Sequence, residues 1–263
     1  MPHEEQRSKV GWKVYFNAAQ ILLEDALFSR AASLAPYDCR MDWQAARVSF
    51  FLAIATALLL LPLGLWLGRW LAFTQNRFKP WIEALLLLPL LLPPTVIGFY
   101  FLIVLGQGAP LGRWLHETLG LSLVFSWEGL LLASLLINIP FMVQPIQRAF
   151  AGISPAVREA AWVGGLSNWH CFKAIELPLA WPGVMAGLAM TLAHTLGEFG
   201  VVLMVGGSIE GETRTLSIAI YDRMQAFNER AAHGMAAALV LCSLAALLVV
   251  FVSERKRLHG RGA

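Results

Sequence analysis

Charge is scarce in this chain. Asp, Glu, Lys and Arg make up 14% of its 263 residues, where soluble domains carry about a quarter. Apolar residues make up 57% and the mean hydropathy is +0.61, so the polar surface that a water-soluble domain of this size needs is missing. Cysteine is nearly absent too. Cys39, Cys171 and Cys242 are odd in number and widely spaced, which supports neither a disulfide framework nor a zinc site. Cys242 lies inside an apolar block and reads as a small buried hydrophobe. No G-x-x-x-x-G-K-[ST] loop is present to cradle nucleotide phosphates, which excludes ATP hydrolysis by this chain itself. There is no repeat of fixed period and no low-complexity stretch.

What the chain does have is apolar length. Five segments, at about 48–67, 82–105, 130–143 (running on into the more polar 144–147), 183–205 and 235–252, approach or exceed the roughly 20 apolar residues that carry a helix across a bilayer. The expectation is an all-α integral membrane protein of about five transmembrane helices. Basic residues set its orientation. Arg69, Arg77 and Lys79 follow the first segment, Arg148, Arg158 and Lys173 the third, and Arg255, Lys256, Arg257 and Arg261 the fifth. If all five segments span, these lie on one side, and the positive-inside rule makes that side the cytoplasm. The terminal basic cluster is read as a membrane-flanking end, not as a nucleic-acid site. The N-terminus is then outside and the C-terminus cytoplasmic. Trp43, Trp66, Trp70, Trp81, Trp114 and Trp127 lie near segment ends, where interfacial aromatics collect.

Residues 1–41 carry mixed charge and no long apolar run. They are expected to be an N-terminal extension outside the membrane core, weakly amphipathic over 14–28, with Met41 the natural start. Residues 42–258 then form the membrane domain and 259–263 a short tail.

The most patterned stretch lies between the third and fourth segments: Ser154-Pro-Ala-Val-Arg-Glu-Ala-Ala-Trp-Val-Gly-Gly-Leu-Ser-Asn168. Ser154 suits an N-cap, Pro155 a first helical residue, and Gly164-Gly165 a helix end. A helix of two to three turns is too short to hold itself in water, so it must rest on its own protein body or on a partner. Glu159-Ala160-Ala161, three residues, Gly165, nine residues, then Ile175-Glu-Leu177-Pro178 resembles the signature of ABC-importer permeases with the MetI-like fold. The resemblance implies that this is a cytoplasmic coupling helix seated in a separate ATPase subunit. Small Ala160 and Ala161 would permit close docking, Glu159 would offer an acceptor, and the glycines would turn the chain back.

Further stretches narrow the branch. Leu-Leu-Pro-Leu-Leu-Leu-Pro-Pro-Thr-Val-Ile-Gly over 87–98, Pro140-Phe-Met-Val-Gln-Pro-Ile-Gln147, His194-Thr-Leu-Gly-Glu-Phe-Gly200 and Gly211-Glu-Thr-Arg-Thr215 resemble the molybdate permeases of this class across about 42–258. Tungstate is not distinguished from molybdate by these motifs. Sulfate and thiosulfate permeases are similar and share the coupling loop. The resemblance implies a homodimer on two ATPase subunits, an extracytoplasmic molybdate-binding protein, surrounding lipid, alternating access, and no cofactor or metal on this chain, with ATP and Mg2+ on the partner.

Candidate pathway and gate residues follow. Pro93 and Pro94 remove two backbone donors in mid-segment, and a helix restarting near Thr95 and Gly98 aims its amides at an anion; a simple packing kink explains the prolines equally well. Glu198 is a charged residue inside an apolar segment and should face the interior with a partner. His194, where the family often carries arginine, is one turn earlier. An acidic residue repels a dianion, so Glu198 reads as organising a helix break between Gly197 and Gly200 instead of as a ligand. Thr95, Asn138, Gln144, Thr191 and Thr195 are neutral groups suited to weak oxyanion binding or to bonds between helices. Two other classes remain open. A secondary transporter would use His194 and Glu198 as a proton relay but leaves the coupling-loop pattern unexplained. An intramembrane enzyme would need a catalytic pairing, and none is visible apart from His194 and Glu198.

Overall fold

The computed structural model describes residues 41–259, with side chains described as far as residue 248. The expected extension over 1–41, with its helix over 14–28 and Cys39, therefore lies outside the described residues except for Met41; so do residues 260–263 of the tail and the side chains of the terminal basic cluster. Every regular element among the described residues is helical.

Helix α1 (Trp43–Phe73) is capped by Asp42, whose carboxylate accepts the Ala45 N–H at 2.9 Å, satisfying one of the orphan donors of the first turn. Its apolar length crosses a membrane with residues to spare. Two helices follow, α2 (Lys79–Leu91) and α3 (Pro94–Leu105), joined through Leu92 and Pro93 and bent by 105°. The second apolar segment, expected as one span over 82–105, is therefore a broken span or a re-entrant elbow. The reason is local: Pro93 is extended (φ −56°, ψ 133°) and neither Pro93 nor Pro94 has an N–H to continue the ladder. Short α4 (Pro110–Leu119) leads to α5 (Trp127–Ala151), capped by Ser126.

Beyond α5 come α6 (Pro155–Val163) and α7 (Asn168–Cys171). A π-helical turn over Phe172–Glu176 then feeds directly into α8 (Leu177–Gly197). The fourth segment, expected over 183–205, stops at Gly197 and restarts as α9 (Gly200–Gly206). Helix α10 (Leu216–Gln225) and the long α11 (Glu229–His259) complete the chain. Four single helices are long and apolar enough to cross a membrane, or five spans if the α2–α3 pair counts as one.

Helix α5 is the centre of the bundle, packed between α1 and α8. Gly64 and Gly68 on α1 make that approach possible, since a Cβ at Gly64 would lie 2.5 Å from Met142 Cγ and one at Gly68 2.8 Å from Ile146 Cγ2. Close backbone approach at small residues is how membrane helices gain contact when lipid is as apolar as leucine. The main core gathers Leu60, Met142, Ile146, Phe150 and Val184. A second cluster joins Val48, Leu52, Leu130, Val202 and Ile218. Helix α11 is the least buried of the candidate spans.

Candidate functional site: paired helix breaks and an anchored coupling loop

The two broken helices meet. Gly200, which opens α9, rests on Pro94, which opens α3: a Cβ at Gly200 would sit 2.8 Å from Pro94 Cβ. One turn on, Gly98 packs on Met204. The prolines, Thr95 and Gly197 stay exposed, while Gly98 and Glu198 are buried. Pro94, Gly98, Glu198 and Gly200 are thus brought to one place from segments a hundred residues apart in the chain.

Glu198 sits in the gap between α8 and α9 with extended backbone (φ −67°, ψ 132°). Its Oε1 accepts the Val201 N–H at 3.0 Å, so the carboxylate serves as an end-cap for α9. Its Oε2 faces His194 Nε2 at 3.8 Å. The His194 ring stacks on Phe141, centroids 3.9 Å apart, and its Nδ1 lies 3.0 Å from Asn138 Oδ1. Asn138 spends its amide on the Ser134 carbonyl at 2.8 Å, so its oxygen accepts from His194 Nδ1–H and leaves Nε2 toward the carboxylate. The Ser134 hydroxyl bonds that of Thr56 at 3.0 Å. A chain of polar groups therefore runs through the apolar interior from Thr56 on α1, through Ser134 and Asn138 on α5, to His194 and Glu198. Thr56 and Ser134 were not apparent as candidates; the only signal was the four-residue spacing of Ser134 and Asn138 in an apolar segment.

The threonines of α8 divide. Thr195 spends its hydroxyl on the Thr191 carbonyl at 2.8 Å, inside its own helix. The Thr191 hydroxyl is buried with no hydrogen-bond partner among the described residues. Gln144 accepts from Arg148 at 3.3 Å and lines a cavity of about 370 Å³ together with Leu90 near the end of α2, Pro140, Phe141 and Met190.

The helix expected over the Ser154–Asn168 stretch is α6. Gly165 takes a left-handed backbone (φ 82°), the conformation that glycine adopts without a steric cost. Ser154 makes no side-chain cap. Glu159 and Ala160 face outward, while Ala161 is buried against the chain's own body; the two alanines do not share a docking face. Ile175, Leu177 and Pro178 lie at the π-turn and the start of α8, inside the bundle's margin. The outward surface is instead apolar: Val163 is 90% exposed and Trp169 62%, with Val157, Trp162 and Leu166 also exposed.

The residue missed altogether is Glu176. It is fully buried and accepts from Arg69 Nε at 2.5 Å and Nη2 at 3.2 Å and from Arg158 Nε at 2.9 Å. In the sequence Arg69 and Arg158 count only as loop charges, and Glu176 lies within the Ile175–Pro178 motif with no role of its own. A lone acid in an apolar run was the available signal.

Set beside known proteins, residues 44–256 match the family model described as binding-protein-dependent transport system inner membrane component. The chain is 42% identical over 215 residues to the molybdenum transport system permease protein ModB of Azotobacter vinelandii, covering 81% of this chain and 95% of that one. It is 33% identical over 214 residues to the protein of that name from Escherichia coli K12, covering 81% and 92%. The sulfate transport system permease protein CysW of Escherichia coli K12 is 32% identical over 205 residues, covering 76% of this chain and 70% of that one. Among solved structures, a chain of a bacterial alginate ABC transporter in complex with its alginate-loaded periplasmic protein superposes with a TM-score of 0.68 at 15% identity, covering 95% and 96%; at that identity the likeness speaks for the fold alone. With four to five apolar spans, broken helices meeting in the interior and a family match over nearly the whole described chain, this protein belongs to the binding-protein-dependent inner membrane components of ABC transport systems.

Proposed function

We propose that the chain is the permease subunit of an ATP-driven importer of molybdate, with tungstate carried by the same path. The observation that carries this reading is the 42% identity along 95% of a molybdate permease, against 32% along 70% of a sulfate permease. Two copies of the chain form the path, with the N-terminus outside and the C-terminus in the cytoplasm. ATP and Mg2+ act on two separate ATPase subunits, and the exposed apolar surface of Val163, Leu166 and Trp169 is the face on which they dock. An extracytoplasmic binding protein delivers the anion. Closure of the ATPase pair moves α6, the membrane helices open outward to take the anion, and hydrolysis returns the inward-facing state.

The elbow suits such a path. Non-helical backbone at membrane depth is tolerated where it is packed in protein or lines a cavity, and the Pro93–Pro94 and Gly197–Gly200 breaks are both packed and partly open. Thr95, exposed at the elbow, is a neutral donor of the kind that holds an oxyanion weakly enough to let it leave, while a Glu198 oxygen is occupied by the Val201 amide.

The test is uptake into vesicles holding this chain, its ATPase and its binding protein. ATP-dependent molybdate and tungstate uptake that excess sulfate leaves unchanged is the expected result. Sulfate uptake moves the chain to the neighbouring branch, and ATP-independent uptake with a pH gradient overturns the mechanism in favour of proton coupling through His194 and Glu198.

A further inference from the structure

The coupling helix α6 is nine residues long, too short to keep its own shape, and it hangs from α5 and α7 by short loops. Besides buried Ala161, one charged side chain fastens it to the bundle. Arg158 projects from α6 and donates through Nε to Glu176 Oε1 at 2.9 Å, while its guanidinium lies over the Phe73 ring at 3.6 Å. The same carboxylate takes two bonds from Arg69, near the end of α1. The Arg69 guanidinium in turn lies 5.5 Å from the Phe172 ring of the π-turn. Glu176 has no exposure to solvent. A single buried carboxylate thus joins α6, α1 and the start of α8, three elements that are not consecutive in the chain.

A buried carboxylate between two guanidinium groups is not easily exchanged for water, because removing either partner leaves an uncompensated charge in a low dielectric. Arg158 and Arg69 hold it through directed, charge-assisted bonds. A displacement of α6 therefore pulls on the ends of α1 and α8 together, not only on the loops that continue its own backbone. The π-helical turn sets the register. Its extra residue places Glu176 under α1 and α6, and such turns are frequent where a helix carries a functional side chain.

From this geometry we infer that Glu176 is the positioning residue that transmits movement of the coupling helix into α1 and α8, with Arg158 as its link to the helix and Arg69 as its link to α1. The inference rests on the proposed coupling to an ATPase. Glu176 touches neither nucleotide nor anion; it acts through the two arginines.

The experiment uses the full complex with ATPase subunits and binding protein in proteoliposomes, and reads two quantities: the ATPase subunits that co-purify, and the molybdate taken up per ATP hydrolysed. For Glu176→Gln and Arg158→Ala the expected result is a complex of unchanged composition whose uptake per ATP falls about tenfold. Arg158→Lys, which keeps the charge, recovers part of the loss, and the double variant is no worse than the worse single one, since both act on the same charged Arg158–Glu176 link. Unchanged uptake per ATP in Arg158→Ala overturns the inference. So does an additive loss in the double variant, and so does a loss of ATPase subunits that fully accounts for the lost uptake, which would make Arg158 a docking residue. If Glu176→Gln yields no intact complex, the Arg158→Ala and Arg158→Lys pair decides, because Arg158 is partly exposed. A native chain that neither holds ATPase subunits nor requires ATP refutes the proposed function instead, and is told apart by failing before any substitution is made.

Discussion

Helix α1 ends in two charge clusters of opposite construction. At the end beside α6, one acid, Glu176, is held by two bases. At the other end one base, Arg214, stands among three acids: Glu210 at 2.6 Å, Asp222 at 3.3 Å and Asp42 at 3.6 Å. Both clusters tie α1 to distant segments. They differ in water. Glu176 is sealed, whereas Glu210 is 76% exposed and Asp222 37%. They differ in aim as well. All three bonds to Glu176 are directed, whereas Arg214 makes one directed bond, from Nη1 to exposed Glu210 at 2.6 Å, and its buried Nε has no aligned acceptor among the described residues, although the Asp222 carboxylate lies 3.3 Å away. That contact is Coulombic, not a hydrogen bond. The inner cluster behaves as a rivet, the outer as a screened fastening that holds the Gly211–Thr215 stretch while leaving it adjustable. There the rigid member is Thr213, fully buried and bonded to the Gly206 carbonyl at 2.6 Å.

The contrast is broken most directly at Glu176. Glu176→Ala strands two guanidinium groups, and thermal unfolding of the purified protein in detergent should show a loss of about 3–5 kcal/mol, with Glu176→Gln losing less. A loss under about 1 kcal/mol would mean that water reaches the cluster and that it resembles the outer one. Next is the elbow. A Cβ at Gly98 would lie 2.6 Å from Met204 Cβ, whereas one at Gly197 meets nothing within 4 Å. Gly98→Leu should therefore cost about 1–3 kcal/mol by overpacking and abolish uptake, while Gly197→Ala leaves both nearly unchanged; equal effects would show that α3 and α9 do not stay packed.

Glu198→Leu removes the acceptor for Val201 N–H and should cost about 1 kcal/mol, with Glu198→Gln restoring most of it because an amide oxygen also accepts. If Glu198→Gln loses as much as Glu198→Leu, the charge facing His194 matters more than the cap. A smaller stability effect than at Glu176 belongs to the outer cluster. Arg214→Gln should cost at most about 1 kcal/mol, a difference that shrinks as salt is raised; a salt-independent loss would place Arg214 with the rivet. On the outward face of α6, Glu159→Lys should leave the fold intact and reduce the ATPase subunits recovered with the chain, whereas normal recovery and uptake would free that face of the assigned role.

Much of this was legible beforehand. Hydropathic length marked the spans, Gly165 marked the left-handed turn after α6, and Pro93–Pro94 and Gly197–Gly200 marked the breaks. Each rests on a property of a few adjacent residues: transfer free energy, a missing Cβ, a missing N–H. The 105° bend was not legible, because proline says that a ladder stops and not where the next helix points. Nor was the inward turn of Ala161, since spacing places two neighbours on a helix without saying which face its tethers will cover.

The sequence alone determined that this chain lives in a bilayer as a set of apolar helices, and where the backbone interrupts them, because those outcomes depend on local composition. Only the tertiary structure decided what the charges do. Arg69 and Glu176 are 107 residues apart, and Arg158 looks like any basic loop residue until α1, α6 and α8 are packed together. Burial then makes pairing obligatory, because a carboxylate taken out of water must find its partners in whichever elements the fold has brought beside it.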